Sequence, residues 1–279
     1  MLTAAACPFA LRRLESIREC LGAPAVNRAV VETLEALAPD AQNKPELVDW
    51  LRAGIARNEA RFEIRSALRA LSRAMQPRSY LEIGTRRGWS LAQVLAESPD
   101  VRAWSFDRWI EGYGGVDNPG PELVRAEMRR VAPYHRGGLR FLCGNSHDLL
   151  PVFFQGVEIG ERELADLSVL RAGEDAPRSF DLITVDGDHT ALGTWWDVTD
   201  VLPFVAIGGA IVIDDLVDSA DEVLGDRPES RYADIRPSPK DLRPSLLDLW
   251  SRLKAGLDGY EFIESFDSIV PIGIAVRVR

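Results

Sequence analysis

The sequence predicts an α/β fold: a doubly wound, Rossmann-like sheet of seven strands with a terminal antiparallel hairpin, preceded by an N-terminal helical segment. Three observations predict it. From residue 79 onward short apolar runs alternate with helix-periodic segments, and continuous apolar strands separated by helices belong to a parallel sheet covered on both faces. The last two runs are joined only by Phe266–Pro271, too short for a helical crossover, so they pair as a hairpin. Residues 1–78 instead carry apolar positions at helical spacing.

Val26, Val30, Leu34 and Leu37 recur at helical intervals before the stop Pro39-Asp40, and Glu46–Met75 reads as a second helical stretch that Pro77 ends. The strand candidates are Tyr80–Gly84, Arg102–Phe106, Leu139–Cys143, Asp181–Val185, Ala210–Ile213, Tyr260–Ser265 and Ile272–Val278. Between them lie helical candidates Trp89–Ala96, Pro121–Val131, Ser146–Phe154, Leu192–Val201 and Pro244–Leu257. Two units follow: a helical cap or oligomerisation segment over 1–78, which suits a homodimer interface or plain packing, and a ligand-binding domain over 79–279. Asp218–Pro239 is polar, contains proline and reads as a mobile loop.

Composition narrows the function. The chain has 279 residues, with 33 Lys plus Arg against 43 Asp plus Glu and a net charge of −10. That balance disfavours nucleic acid and anionic membranes as partners, because phosphate binding needs clustered Lys and Arg. Three scattered cysteines make neither a disulfide framework nor a thiolate zinc site. No apolar run reaches the ~18–20 residues of a membrane span. Met1–Leu11 lacks a basic residue ahead of its apolar stretch, unlike a secretion signal, so the expected location is cytoplasmic.

The first strand runs into Glu82-Ile83-Gly84-Thr85-Arg86-Arg87-Gly88-Trp89-Ser90. Its glycines allow a tight turn and close approach of a ligand just before a helix N-terminus. The spacing is neither the dinucleotide fingerprint nor a P-loop, and Glu82 suits a ligand's ammonium group better than a phosphate. Asp107, followed by Arg108, ends the second strand, where an acid can grasp ribose hydroxyls or simply cap a turn. The third strand ends at Cys143-Gly144-Asn145-Ser146, whose polar side chains can meet an adenine edge. All three features fall at carboxyl ends of consecutive strands, where such sheets bind ligands.

Glu82-x-Gly84-x-x-x-Gly88, Asp107 and Gly144-Asn145-Ser146 resemble the first three motifs of class I S-adenosylmethionine-dependent methyltransferases, over roughly residues 79–279. The resemblance implies S-adenosyl-L-methionine as cofactor, with Glu82 and Gly84 near its methionine part and Thr85, Gly88 and Ser90 also among the cofactor-binding residues. It further implies Asp107 and Arg108 at the ribose, Asn145 and Ser146 at the adenine, and Asp186 beside the cofactor. That family often has Asp where Asn145 stands.

Val185-Asp186-Gly187-Asp188-His189 ends the fourth strand and Val212-Ile213-Asp214-Asp215 the fifth, so carboxylates and an imidazole converge at one sheet edge. Two carboxylates about 4 Å apart repel by roughly 4 kcal/mol at an effective dielectric near 20, which recruits a cation or a proton. An all-oxygen set suits Mg²⁺, Ca²⁺ or Mn²⁺ better than zinc. The pair of motifs is similar to those of divalent-metal-dependent small-molecule O-methyltransferases of the natural-product sugar type, which places a metal, Mg²⁺ foremost, on Asp186, Asp214 and Asp215. Asp186 can alternatively cap the helix beginning near Thr190.

His189, beside this cluster, is a candidate general base given an ordinary pKa near 6.5, and alternatively a metal ligand or a helix-start residue. His135 and His147 read as surface or loop residues, with His147 close to the ligand edge. Trp109–Gly115 reads as a Gly-rich closing loop, and Trp195-Trp196 as packing.

The sequence therefore leads to methylation of a small-molecule hydroxyl, with Asp186 and His189 as the catalytic pair. Two other readings share these residues: the same fold performing cyclisation, hydroxylation or elimination, and a non-catalytic cofactor-binding partner subunit.

Overall fold

A computed structural model describes residues 6–37, 44–109, 118–155, 177–217 and 245–279. Four helices come first: α1 (Pro8–Cys20), α2 (Pro24–Ala36), α3 (Lys44–Arg57) and α4 (Ile64–Met75). The alternating part follows as β1 (Ser79–Ile83), α5 (Trp89–Glu97), β2 (Arg102–Asp107), α6 (Pro121–Val131), β3 (Leu139–Cys143) and α7 (Ser146–Phe154). It continues through β4 (Phe180–Val185), α8 (Ala191–Val201), β5 (Val205–Ile213) and α9 (Leu246–Gly256), and ends in β6 (Tyr260–Ser265) and β7 (Ile272–Arg277).

The seven strands form one sheet in the order β3-β2-β1-β4-β5-β7-β6. β1 pairs in parallel with both β2 and β4, whereas β7 runs antiparallel to β5 and to β6. The chain steps outward from β1 to β3 and then returns to the other side of β1. That reversal opens a crevice beyond the carboxyl ends of β1 and β4, the usual ligand position in such sheets.

Strand pleating divides the core into two layers. Tyr80 faces a layer built with Leu14, Ile17, Leu34, Leu51, Leu68 and Leu91 of the N-terminal helices and α5. Leu81 and Ile83 face the opposite layer with Phe153, Val198 and Trp250 of α7, α8 and α9. The N-terminal helices thus share one face of the sheet with α5 and α6. Across the boundary, Arg69 Nε donates to Glu97 Oε2 at 2.6 Å and Arg73 Nε to Glu97 Oε1 at 2.7 Å, tying α4 to α5.

The expected single stretch Glu46–Met75 is in fact two helices. Asn58 ends the first with φ +53°, a left-handed conformation that Asn tolerates. Glu63 then caps α4: its Oε1 accepts the Ser66 amide at 2.9 Å, and Ser66 Oγ accepts the Glu63 amide at 2.8 Å. Such reciprocal capping satisfies amide groups the helix cannot pair itself. Helical spacing continued across the break and hid it. The fifth strand also begins earlier than expected, at Val205; the glycine pair at 208–209 is carried within it through a register shift opposite Phe180 and Leu182. The loop expected over Asp218–Pro239 and most of Trp109–Gly115 lie outside the described residues. Among the described residues no helix is long and apolar enough to cross a membrane.

Candidate active site

The turn after β1 is held by backbone geometry. Gly84 takes φ +88°, and a Cβ there would lie 1.8 Å from the Asp186 carbonyl oxygen, so only glycine lets the β1 and β4 ends come so close. The Asp186 amide donates to Ile83 O at 2.9 Å, which fixes the two strand tips side by side. Gly88, φ +75°, is the N-cap of α5 and packs against Val124 and Met128.

Glu82 lies beneath this turn and is fully buried. Its carboxyl accepts from Ser90 Oγ at 2.6 Å, Tyr80 Oη at 3.0 Å and Ser105 Oγ at 3.1 Å. Burial pushes its proton affinity up, with the hydroxyl bonds opposing. Thr85 is also buried, hydrogen-bonded to Ser105. Glu82, Thr85 and Ser90 therefore form a hydroxyl–carboxyl network that stiffens the turn from behind.

In front of the turn is a cavity of about 400 Å³, lined by Gly84, Asp107, Arg108, Asn145 and Ser146 together with His147, Gly187, Asp188, Leu192 and Trp196. Five expected cofactor contacts thus share one cavity. Glu82, Thr85, Gly88, Ser90 and Asp186 are not among its lining residues. The Asp107 carboxylate accepts from the Arg86 and Trp109 amides, each at 2.6 Å. Burial raises its proton affinity and these amides hold it down, leaving an oriented carboxylate with further lone pairs toward the cavity. Asn145 caps α7, its Oδ1 accepting the His147 amide at 3.4 Å.

Sequence reasoning missed the far wall. Trp195 and Trp196 are 39% and 48% exposed and do not pack into the core; Trp196 instead meets His147 edge-on at 5.1 Å and lines the cavity. α8 buries its other side, so both indoles fall on the solvent stripe, a consequence of helical phase that a Trp-Trp pair alone does not show. His147 Nε2 lies 3.2 Å from Gly193 O and 3.4 Å from Asp197 Oδ1, and Asp197 is fully buried. His135 is a half-buried structural residue, bonded through Nε2 to Val101 O at 2.8 Å.

The acidic cluster adjoins the cavity through Gly187 and Asp188. Asp186, His189 and Asp215 bring one ligand atom each within 4.8 Å of one another; Asp214 lies outside that trio. His189 Nδ1 sits 2.5 Å from Asp215 Oδ2 and its Nε2 3.7 Å from Asp186 Oδ1. Burial alone would lower the His189 pKa, but the charge and hydrogen bond of Asp215 outweigh it and push it up to about 10. Burial and then the Asp215 charge push Asp186 up to about 7. Asp214 is 7% exposed, its Oδ1 has no hydrogen-bond partner, and burial raises it well above the usual range. Thr190 caps α8 with its own hydroxyl, accepting the Gly193 amide at 3.0 Å, so Asp186 is not needed as that helix's cap. Asp186, Asp215 and the imidazole of His189 fit a divalent cation, and Asp214, outside that trio, adds a buried oxygen without a hydrogen-bond partner.

The fold has counterparts among known proteins. Residues 81–216 match the family model of a methyltransferase domain. No protein of curated function matches the chain in sequence. Among solved structures, the O-methyltransferase TomG of Streptomyces achromogenes, involved in tomaymycin synthesis and bound to S-adenosylmethionine, is 17% identical. The match covers 87% of this chain and 92% of that one, at a TM-score of 0.50. An O-methyltransferase from Bacillus cereus in complex with S-adenosylhomocysteine is also 17% identical, with 94% and 100% covered and a TM-score of 0.47. The Podospora anserina methyltransferase PaMTH1 is 15% identical, with 99% and 100% covered and a TM-score of 0.47.

Proposed function

We propose that the protein, whose residues 81–216 match the model of a methyltransferase domain, is an S-adenosylmethionine-dependent enzyme that methylates a hydroxyl oxygen of a small molecule, with a divalent cation held beside the acceptor. One observation carries the reading: the cavity lined by Gly84, Asp107, Asn145 and Ser146 is also lined by Gly187 and Asp188, the two residues that stand between Asp186 and His189 of the acidic cluster. A nucleoside at the first end leaves the sulfonium end of the same ligand facing the second.

When bound, the cofactor supplies an electrophilic methyl group, and a cation on Asp186, Asp214 and Asp215, Mg²⁺ foremost, lowers the proton affinity of the acceptor oxygen. The chain's own residues do the rest. Asp107, fixed by two backbone amides, anchors the ribose. The Gly84 turn, stiffened by Glu82, sets the depth at which the methionine part lies. Aligning the acceptor oxygen, methyl carbon and sulfur can supply ~7–11 kcal/mol of the barrier. The acceptor's proton leaves to His189 or to a carboxylate beside it. Paired with Asp215 and raised to about 10, His189 is an imidazolium at neutral pH, so it takes that proton only after giving up its own.

The acceptor class we assign is a small hydroxylated product of specialised metabolism, the setting in which TomG acts, and the site of action we assign is the cytoplasm. Transfer of radiolabel from methyl-labelled S-adenosylmethionine to hydroxylated acceptors, with Mg²⁺ and with chelator, tests the proposal. Metal-stimulated labelling at oxygen supports it. Failure to bind S-adenosylmethionine or S-adenosylhomocysteine in a calorimeter overturns it, and binding with labelling indifferent to chelator removes the metal.

A further inference from the structure

Asp197 of α8 is fully buried, and neither of its carboxylate oxygens has a well-formed hydrogen bond. A carboxyl group taken out of water needs a proton or a positive partner. The partner is His147 of α7, whose Nε2 lies 3.4 Å from Asp197 Oδ1 and 3.2 Å from the carbonyl oxygen of Gly193. Gly193 and Asp197 stand four residues apart on α8, so both acceptors fall on the same side of that helix. A carbonyl and a carboxylate can only accept, which fixes a hydrogen on Nε2. Among the described residues nothing is bonded to Nδ1, which is left for a ligand. The ring lines the cavity next to Asn145 and Ser146, and Trp196 meets it edge-on at 5.1 Å, holding its plane from the other side.

We infer that Asp197 is a positioning residue of the cofactor site: acting through His147, it keeps a hydrogen on both ring nitrogens, so that Nδ1–H donates to a ring nitrogen of the ligand's base. The inference rests on the cofactor reading above and deepens it at the nucleoside end. The carboxylates around the imidazole favour its charged form: Asp197 and Asp200 from α8, and Asp188 from the β4–α8 connection. Asp107 and Arg108, of opposite charge, line the same cavity. Burial works against the charged ring, and the carboxylates with the Gly193 carbonyl outweigh it. When the proton leaves, a lone pair at Nδ1 faces a lone pair of the base, so the ligand loosens as pH climbs through the titration of His147. A buried acid that never touches the ligand thereby governs how firmly its base is held.

The shape of the pH profile separates this role from a merely structural one. The probe is S-adenosylhomocysteine, whose sulfur carries no charge, titrated calorimetrically into the full-length protein from about pH 5 to about pH 8.5. Wild-type affinity is expected to fall about tenfold across that range, the scale of one hydrogen bond to a charged group. Asp197→Asn keeps the shape of the side chain and removes its charge. It is expected to bind within about twofold of wild type near pH 5, with its fall in affinity moved about one pH unit or more downward. His147→Gln retains a neutral amide donor and is expected to lose the slope, varying by no more than about twofold over the range. A packing role for Asp197 would instead lower affinity by the same factor at every pH. That uniform loss overturns the inference, as does a flat wild-type profile or a slope that wild type and both variants share. Should Asp197→Asn not fold, His147→Gln decides: a slope that survives it sinks the inference. Should wild type fail to bind S-adenosylhomocysteine at any pH, the cofactor reading falls and this inference with it.

Discussion

His189 Nδ1 lies 2.5 Å from Asp215 Oδ2, and the backbone of Asp215 adopts the left-handed region, φ +57°, to present that oxygen. A non-glycine residue in this conformation is sparsely populated and costs of order 1 kcal/mol or more. Here it turns a carboxylate back toward the fourth strand, so that an imidazole fills the gap between two acids from different strands. His189 therefore places a compensating positive charge between Asp186 and Asp215.

His189 is accordingly expected to titrate far above an ordinary imidazole. In an NMR titration His189 keeps its proton to about pH 10, well above an ordinary imidazole near 6.5. Saturating Mg²⁺ is expected to lower that midpoint by a unit or more, since a cation and a proton compete for one cluster of charge. Three imidazoles all titrating near 6.5 would contradict the His189–Asp215 pairing.

Asp107, which lines the cavity, is the residue proposed to hold the ribose. Removing an ionised acceptor of two hydroxyl hydrogen bonds forfeits about 1.5–3 kcal/mol for each such bond. Asp107→Ala is therefore expected to weaken S-adenosylhomocysteine binding by at least ~10-fold in a calorimetric titration, because each 1.4 kcal/mol is a factor of ten. Affinity within twofold of wild type would place the ribose elsewhere.

The strands and the crevice were legible in the sequence because they depend on local signals: β-branched runs, glycines at strand ends and acids at strand tips. Gly84, Asp107, Asn145 and Ser146 could be placed by position along the chain, since topology brings successive strand ends to one edge. The direction in which a side chain points was not legible. Glu82 was expected to face a ligand's ammonium group, and pleating sends it instead into the layer of Tyr80, Ser90 and Ser105. Trp196 was assigned to packing because indoles usually are buried, and only the helical phase of α8 reveals its place on the cavity wall.

Gly84→Ala is expected to be among the most damaging substitutions in the chain. The left-handed φ of +88° costs an alanine about 1–2 kcal/mol, and the added Cβ, 1.8 Å from the Asp186 carbonyl oxygen, forces β1 and β4 apart. A total loss above about 4 kcal/mol is expected, read as collapse of the cooperative thermal transition. A Tm within a few degrees of wild type would mean that the turn is not held against Asp186.

Stability is expected to fall as pH rises from about 5.5 to 9. His147 has its pKa raised: burial lowers it, but the bond and charge of Asp197, with the Asp188 charge and the Gly193 carbonyl, together outweigh burial. Its contribution is whole below the unfolded value near 6.5 and is lost as pH climbs through the higher native value. Asp197 has its pKa raised by burial, with His147 opposing, so the native state holds that carboxyl's proton more tightly than the unfolded chain does. That contribution is also lost with rising pH. Asp186, raised to about 7, and His189, raised to about 10, add slopes of the same sign. Asp215, held low by His189 against the effect of burial, contributes above the unfolded carboxylate value near 3.9 and stays constant across this window. Asp197→Asn removes one partner of the first pair, so its Tm is expected to fall less steeply with pH than wild type, by roughly 2–4 °C over the window, the scale of about 1 kcal/mol. A wild-type Tm that rises between pH 5.5 and 9 would show that the buried carboxyls are already ionised at low pH, and that the His147–Asp197 contact is not the proton-holding pair its burial implies.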